Sequence, residues 1–267
     1  MPDSLHKDKL LSNLRHVRTK VKLSVIIITQ NESTRIRRAL DSVAWADEVV
    51  VVDSGSTDDT VALCRAAGAQ VHEMDWAGFG PQKNRALGFA TGDWVLSIDA
   101  DEVVPAELRA EIQAALVRPG ALTAFRIPRL SSFLGRPMRH SGWWPDPVCR
   151  LFKRGTARFT DTPVHERVET TGPVGILRTP LHHESVVTLD DAIDKMNRYS
   201  TAGARALHGQ GRRASLGAAI GRGLWTFFRT YVLQAGFLDG RAGLMLAIAN
   251  AEGSYYRQVK LALLSRE

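Results

Sequence analysis

Asp93-Trp94-Val95-Leu96-Ser97-Ile98-Asp99-Ala100-Asp101-Glu102 is the stretch that decides the fold. Trp94–Ile98 is a short, mostly apolar run that ends on acids, as a strand buried on both faces does where it leaves a sheet. The pattern recurs upstream. Leu23–Thr29 is apolar and β-branched and gives way to Gln30-Asn31-Glu32. Glu48–Val52 ends at Asp53 and a Ser54-Gly55-Ser56 turn, and Ala69–Glu73 makes a third such run. Helical patterns lie between. Ile36, Leu40 and Val43 repeat at helical period after Ser33 or Thr34 as cap. A second helix runs from about Asp58 to Gly68 as a left-handed stop, a third over Pro81–Ala90, and a fourth from Pro105 to Val117. Strands alternating with helices across short loops predict an α/β fold of parallel βαβ units. Ligands bind outside the carboxyl ends of such strands. Thr29–Glu32, Asp53–Ser56 and Asp99–Asp101 are therefore expected to meet at one crevice.

Farther out the pattern changes. Residues 120–187 are rich in Pro, Gly and aromatics, and Ala124–Ile127 and Val148–Phe152 predict antiparallel strands extending the sheet. From Thr188 the chain reads as helix, with Leu189, Ile193 and Met196 on one face. Two more helical segments, 214–236 and 241–263, flank a Gly236–Gly240 break. Leu10, Leu14, Val17 and Val21, interspersed with Lys9, Arg15, Arg18 and Lys22, make a short basic amphipathic arm. The expected organisation is an arm over 1–22, a catalytic domain over 23–211 (halves 23–119 and 120–211) and a helical segment over 212–267. Gly209–Arg213 is the linker.

Composition narrows the function. At 44% hydrophobic and 24% charged the chain is globular. The net charge of +7 is uneven. Residues 1–22 carry +4 and residues 212–267 carry +5, leaving −2 for the middle. Two basic ends on a near-neutral body favour an anionic membrane surface over a nucleic-acid groove, and no nucleic-acid module is present. The exposed-charge reading of each end is solubility alone. Cys64 and Cys149 have no metal or disulfide spacing, so a cytoplasmic setting is the default. No leader and no spanning segment is evident. In 214–236, Arg222 and Arg229 share a face beside Trp225, Phe227 and Phe228, which suggests a helix lying in the membrane interface; packing on the catalytic domain or on a partner subunit is the other reading.

The Asp99-Ala100-Asp101 pair supplies hard oxygen ligands for a divalent cation, Mg or Mn, with positions left for phosphates. A solvated acidic loop or a cap before Pro105 is the alternative. Asp53 can accept a bond from a base N–H, or serve only its own Ser-Gly-Ser turn. Lys83, in Gly78-Phe79-Gly80-Pro81-Gln82-Lys83, can reach a diphosphate although the stretch is not a P-loop. For a general base that takes a hydroxyl proton, a carboxylate fits. Glu166, in Val164-His165-Glu166-Arg167, comes first and Asp146 second, and either can instead pair with Arg150, Arg154 or Arg167.

SVIIITQNES (24–33), VVVVDSGSTDDT (49–60), GFGPQKNRAL (78–87) and DWVLSIDADE (93–102) together resemble the family-two glycosyltransferases. GWWPDPVCRLFKRG (142–155), PVHERV (163–168), KMNRYS (195–200) and GFLDG (236–240) resemble their bacterial lipopolysaccharide-core β-1,4-glucosyltransferase branch. The resemblance spans about 23–260. It implies the GT-A fold, inversion at the anomeric carbon and a UDP-sugar donor, with glucose foremost. The implied acceptor is a lipid-linked saccharide or the lipopolysaccharide core, and the implied place is the inner face of a bacterial cytoplasmic membrane. By residue, it implies that Thr29, Asn31 and Glu32 line the nucleoside pocket and that Asp53 meets uracil. Lys83 would sit near uracil or diphosphate, Asp99 would touch ribose and metal, and Asp101 would ligate the metal. His183 or its neighbour His182 would complete the metal site, with His183 favoured by position. Arg150 would meet donor phosphate or an anionic acceptor. A sugar-phosphate nucleotidyltransferase should carry a Gly-x-Gly-x-Arg loop where this chain has Thr29–Glu32. A catalytically inactive scaffold would have no need of Asp53, Asp99, Asp101 and Glu166.

Overall fold

The computed structural model describes residues 21–161 and 166–265; most of the basic arm, including Leu10, Leu14 and Val17, lies outside them. Twelve strands and seven α-helices follow one another among these residues. The strands of the first half are β1 (Leu23–Thr29), β2 (Glu48–Asp53), β3 (Gln70–Glu73) and β4 (Trp94–Asp99). Between and after them lie α1 (Ile36–Val43), α2 (Thr60–Ala66), α3 (Phe79–Phe89) and α4 (Ala106–Val117). β1 pairs parallel with both β2 and β4, and β2 with β3. This is the parallel βαβ core that the alternating pattern predicts.

Strand periodicity explains how β1 serves two cores. Leu23, Val25 and Ile27 face one side and pack with Ile36, Ala39, Leu40 and Val43 of α1 and with Leu108, Ile112 and Leu116 of α4. Ile26 faces the other side with Val50, Val52, Val95 and Ala86 of α3. Burying both faces leaves the sheet only its strand ends for polar work.

One helix starts differently from the sequence reading. Neither Ser33 nor Thr34 caps α1; its N-cap is Arg35, with no side-chain bond. The Glu32 carbonyl accepts the Arg35 and Ile36 N–H groups, and the Ser33 N–H donates to Asp58. The Thr29–Glu32 loop is thereby tied to the β2–α2 turn, which satisfies the helix start from another element.

The second half supplies β5 (Glu102–Val103), β6 (Ala124–Phe133), β7 (Arg136–Pro137), β8 (Pro147–Lys153), the ribbon β9 (Ala157–Phe159) with β10 (Val168–Thr170), β11 (Val174–Ile176) and β12 (Leu181–Val186). The sheet runs β3-β2-β1-β4-β8-β6-β12-β5. β8 is antiparallel to β4 and β6, as expected. β11 and β12, by contrast, run parallel to β6. The antiparallel reading of 120–187 holds for only part of it, because local alternation carries no information on partner direction.

The tail comprises α5 (Leu189–Gly209), α6 (Leu216–Phe228) with a π-type turn to Leu233, a 3₁₀ turn Gly236–Asp239, and α7 (Gly240–Leu264). The face of α5 is corrected. Leu189 and Ile193 are exposed and Met196 half-buried, while Ala192, Ser200 and Ala204 are buried. Small residues face inward because α5 and α7 approach closely: a Cβ on Gly203 would stand 2.8 Å from Arg257 Cδ. Asp239 ties the tail to the 139–142 turn, accepting the Arg139 and His140 N–H groups and the Ser141 hydroxyl.

Candidate active site

The sheet delivers its polar groups to one edge. The centre is a buried ion cluster around Asp99, the last residue of β4. Lys83, on α3, places Nζ 2.8 Å from Asp99 Oδ1 and 2.7 Å from Glu166 Oε1. Arg150, on β8, sets Nη2 2.5 Å from Asp99 Oδ2 and 2.6 Å from Glu102 Oε1. Lys83, Arg150 and Glu102 are all buried. Burial opposes the charge on Asp99, yet Arg150 and Lys83 hold its carboxyl well below the usual carboxylate range. Burial pushes the Glu102 carboxyl up against the pull of Arg150. Each cation of the cluster sits between two carboxylates, and Asp99 is shared by both.

Asp101 stands apart from that cluster. Its Oδ2 lies 3.3 Å from Nε2 of His183, whose Nδ1 is 2.8 Å from the Ser131 hydroxyl. Burial raises the Asp101 carboxyl, but the His183 hydrogen bond together with the charges of His183 and Arg35 holds it low. Strand register makes the contact: His183 on β12 pairs with Ser131 on β6 and with Glu102 on β5. His182, one residue away, is exposed on the opposite side. When Nδ1 donates to Ser131, the Nε2 lone pair faces a carboxylate, an arrangement completed by a proton or a cation.

Fit to a divalent cation follows from these distances. An octahedral ion with bonds of about 2.1 Å places neighbouring ligand atoms roughly 3.0 Å apart. The Asp101–His183 separation is close to that, and such an ion takes its other ligands from phosphates and water. The two oxygens of Asp99 meet Lys83 and Arg150, and Asp101 is the carboxylate of the pair that faces His183. Among the described residues no three-ligand His/Cys/Asp/Glu group occurs, so any metal here would rest on Asp101, His183 and the substrate.

The β1 and β2 ends form the other wall. Asp53 is fully buried, and its carboxylate accepts the Gly55 and Ser56 N–H groups at 2.9 and 2.8 Å and the Ser56 hydroxyl at 2.5 Å. It shapes the turn, in which Gly55 has φ +83°. Asn31, itself at φ +55°, accepts the Thr57 N–H at 2.8 Å. The Thr29 hydroxyl is buried without a hydrogen-bond partner, an open valence at the strand end. Glu32 pairs with Arg35 at 2.8 Å; burial pushes its carboxyl up more than Arg35 pulls it down, and the Asp101 charge adds to the rise.

The two candidate bases part company. Glu166 is half-buried against Lys83. Asp146 lines a cavity of about 330 Å³ together with His183, Arg129, Ser131 and Trp143. Its Oδ2 meets Arg129 Nη2 at 2.7 Å, and the side chain is 45% exposed, which leaves an oxygen open to that cavity. Glu102, Arg129 and Ser131 were missed in the sequence. Arg129 and Ser131 are i, i+2 on β6 and so share a face, a signal that is readable once the strand is known to run past Ile127.

Residues 24–180 match the family model described as glycosyl transferase family 2. An uncharacterized glycosyltransferase of Rickettsia prowazekii (strain Madrid E) is 33% identical over 256 residues, covering 91% of this chain and 88% of that protein. The lipopolysaccharide core biosynthesis glycosyltransferase LpsC of Rhizobium meliloti (strain 1021) is 31% identical over 257 residues, covering 89% of this chain and 93% of LpsC. A crystal structure of glucosyl-3-phosphoglycerate synthase from Mycobacterium tuberculosis, in complex with Mn2+, UDP and glucosyl-3-phosphoglycerate, is 28% identical over 43% of this chain and 45% of that one, with a TM-score of 0.36. The family model and the two relatives set aside the nucleotidyltransferase and scaffold readings, and by their extent the chain belongs to glycosyl transferase family 2 and is a glycosyltransferase.

Proposed function

We propose that the enzyme moves a hexose, glucose foremost, from a UDP-sugar to a lipid-linked or lipopolysaccharide-core acceptor, with inversion. The observation that carries the reading is the adjacency of three parts at one sheet edge: the Lys83–Asp99–Arg150 cluster, the Asp101–His183 pair and the Asp146 cavity. LpsC, similar over nearly its whole length, supports the acceptor class by its name.

In this reading Thr29, Asn31, Glu32 and the turn held by Asp53 frame the nucleoside. Lys83 faces the diphosphate, oriented by Asp99 and Glu166. Arg150 anchors Asp99 from behind. Asp101 and His183 would hold a divalent cation, Mg or Mn, which when bound neutralises charge on the departing diphosphate. Asp146 is the base: its carboxylate takes the proton of the acceptor hydroxyl while the acceptor's own oxygen bonds the anomeric carbon. The bond from that carbon to the diphosphate breaks, and its electron pair leaves with UDP. Glu166, bound to Lys83, acts as a positioning residue.

The tail supports a membrane setting. On α6 the inward residues are small or polar, Ala219, Gly223 and Thr226, while Leu224, Trp225 and Phe228 point out at 68%, 51% and 44% exposure. Arg222 and Arg229 are exposed beside them. Large apolar groups outside and small ones inside suit lipid contact. No single described helix is long and apolar enough to cross a membrane; α6 with its π turn and the following segment pass only as a pair bent by 70°. We therefore place the enzyme as a peripheral protein on an anionic leaflet, the cytoplasmic inner face, with the C-terminal helices as its contact.

A screen of UDP-sugars for metal-dependent UDP release in the presence of core acceptors tests the proposal. Release stimulated by one UDP-hexose plus acceptor and lost with chelator supports it. Turnover of another nucleotide-sugar, or full turnover with chelator, overturns it.

A further inference from the structure

A second cavity, about 300 Å³, lies between α5, α7 and the ends of β6 and β12. Phe133, Trp143, Met196 and Leu246 form its apolar wall, and Lys195 and Arg257 its charged one. Among the described residues no carboxylate lines it. The Lys195 ammonium donates a hydrogen bond to the Ser185 carbonyl. Arg257 makes no ion pair among the described residues, and its Nε is buried with no partner. Asp101 and Asp191 act on Lys195 only from a distance, and two cations in a part-buried pocket without a carboxylate in ion-pair contact are an expensive arrangement for the free protein. Everywhere else in this site the cations are matched: Lys83, Arg129 and Arg150 each have carboxylates. The mismatch marks a place where an anion belongs.

The cavity is also built. The Arg257 stem crosses Gly203, where a Cβ would stand 2.8 Å from Arg257 Cδ, so a larger residue on α5 would push the arginine out of place. The Trp143 ring is set edge-on by Phe133, with centroids 6.2 Å apart and planes at 87°, leaving an amphipathic ring toward the cavity. The volume is at the low end for small-ligand sites, room for about one sugar residue. Trp143 and Ser185 line both this cavity and the one holding Asp146 and His183. The two cavities therefore adjoin across these residues, and the charge of Asp101 reaches Lys195.

We infer that this cavity is an acceptor subsite for an acidic saccharide, with Arg257 and Lys195 binding a phosphate or carboxylate on the sugar next to the one that is glycosylated. The word acceptor rests on the function proposed above; the preference for an anion rests on the cavity alone. An arginine fork and a lysine point charge together hold either anion. The anchored sugar then lies along Trp143, and the neighbouring hydroxyl enters the cavity of Asp146. Charge at this subsite would exclude neutral glycans of the same shape.

The test uses the full-length chain, ¹⁵N-labelled, titrated separately with glucose 6-phosphate, glucuronate and methyl glucoside, and followed at the Trp143 indole and the Gly253 and Ser254 amides. The expected result is that an anionic sugar binds at least about tenfold more tightly than methyl glucoside, with shifts at those signals. The tighter of the two anions tells phosphate from carboxylate. Arg257→Gln and Lys195→Gln should each weaken the anion about tenfold while leaving methyl glucoside unchanged, and Arg257→Lys should recover part of the loss. Equal affinity for charged and neutral sugars in the wild type, which needs no variant to fold, overturns the inference. So does an anion affinity unchanged in both glutamine variants. UDP titrated into the same samples separates the two ideas: a wild type that fails to bind UDP defeats the donor reading and leaves the anion result standing.

Discussion

Glu166 Oε1 meets Lys83 Nζ at 2.7 Å, across 83 residues of chain. The lysine's second ion pair is with Asp99 Oδ1 at 2.8 Å. A carboxylate engaged in this way orients a cation and is poorly placed to take a proton from an incoming hydroxyl. Asp146 also has one oxygen on a cation, Arg129, but it lines the cavity beside His183 and is 45% exposed against 18% for Glu166, which makes it the more accessible of the two.

Asp146→Asn is expected to lower kcat by roughly 10²-fold or more with UDP affinity unchanged. Glu166→Gln should chiefly weaken donor binding, raising the donor KM several-fold, and a conservative Glu166→Asp should recover part of it. Steady-state kinetics with isothermal titration of UDP separates the two. A Glu166→Gln enzyme with normal donor KM and collapsed kcat would return the base role to Glu166.

Asp101→Asn and Asp99→Asn should differ in kind. Asp101 faces His183, so its variant should lose metal-stimulated transfer and Mn2+ binding while keeping its melting temperature within a few degrees. Asp99 neutralises two buried cations, so its variant should also melt markedly earlier. Calorimetry and Mn2+ titration by electron paramagnetic resonance check both. Tight Mn2+ binding by Asp101→Asn would remove the metal role from that residue.

Arg150→Met should cost about 3–5 kcal/mol in urea unfolding, since it strands the Asp99 and Glu102 carboxylates in a buried setting. Arg150→Lys should cost less, keeping the charge and losing the shared reach. A loss under 1 kcal/mol for the methionine variant would mean that the cluster relaxes or takes up water.

Stability should fall at acid pH in part through Glu111. Its carboxylate accepts the Arg178 and Thr179 N–H groups at 2.8 Å each. Burial opposes ionisation, but these bonds win and lower its folded pKa. A lowered folded pKa gives stability that is present above the unfolded value, near 4.3, and lost as pH falls through the folded one. Glu111→Gln should therefore be less stable than wild type by about 1 kcal/mol at pH 7 and converge on it near pH 3. A constant difference at both pH values would contradict this.

Sedimentation with anionic vesicles, reversed by salt, is expected of the wild type and not of a Leu224→Ser, Trp225→Ser, Phe228→Ser variant. The three side chains are exposed, so the fold should persist. Equal sedimentation of the two proteins would take the membrane contact away from α6.

The sequence alone determined the parallel half of the sheet, because fully buried strands and their intervening helices have unmistakable periodicity. Leu23–Thr29, Glu48–Asp53 and Trp94–Asp99 were legible nearly to the residue, as were the acids at their ends. It also determined the family, through motifs that sit at those ends. What it did not determine was anything set by contact across the fold. The parallel course of β11 and β12 beside β6, the inward face of α5 and the partners of Asp99 all depend on which segments meet. Alternation along one strand reports burial and not its neighbour's direction, and the apolar face of a helix loses to small residues when a second helix must come close. The difference between Glu166 and Asp146 is of the same kind: both are acids in polar motifs, and only tertiary structure puts Lys83 against one and an open cavity beside the other. A side chain's chemistry is written locally, but its charge partner is chosen by topology, and at this site the partner fixes the role.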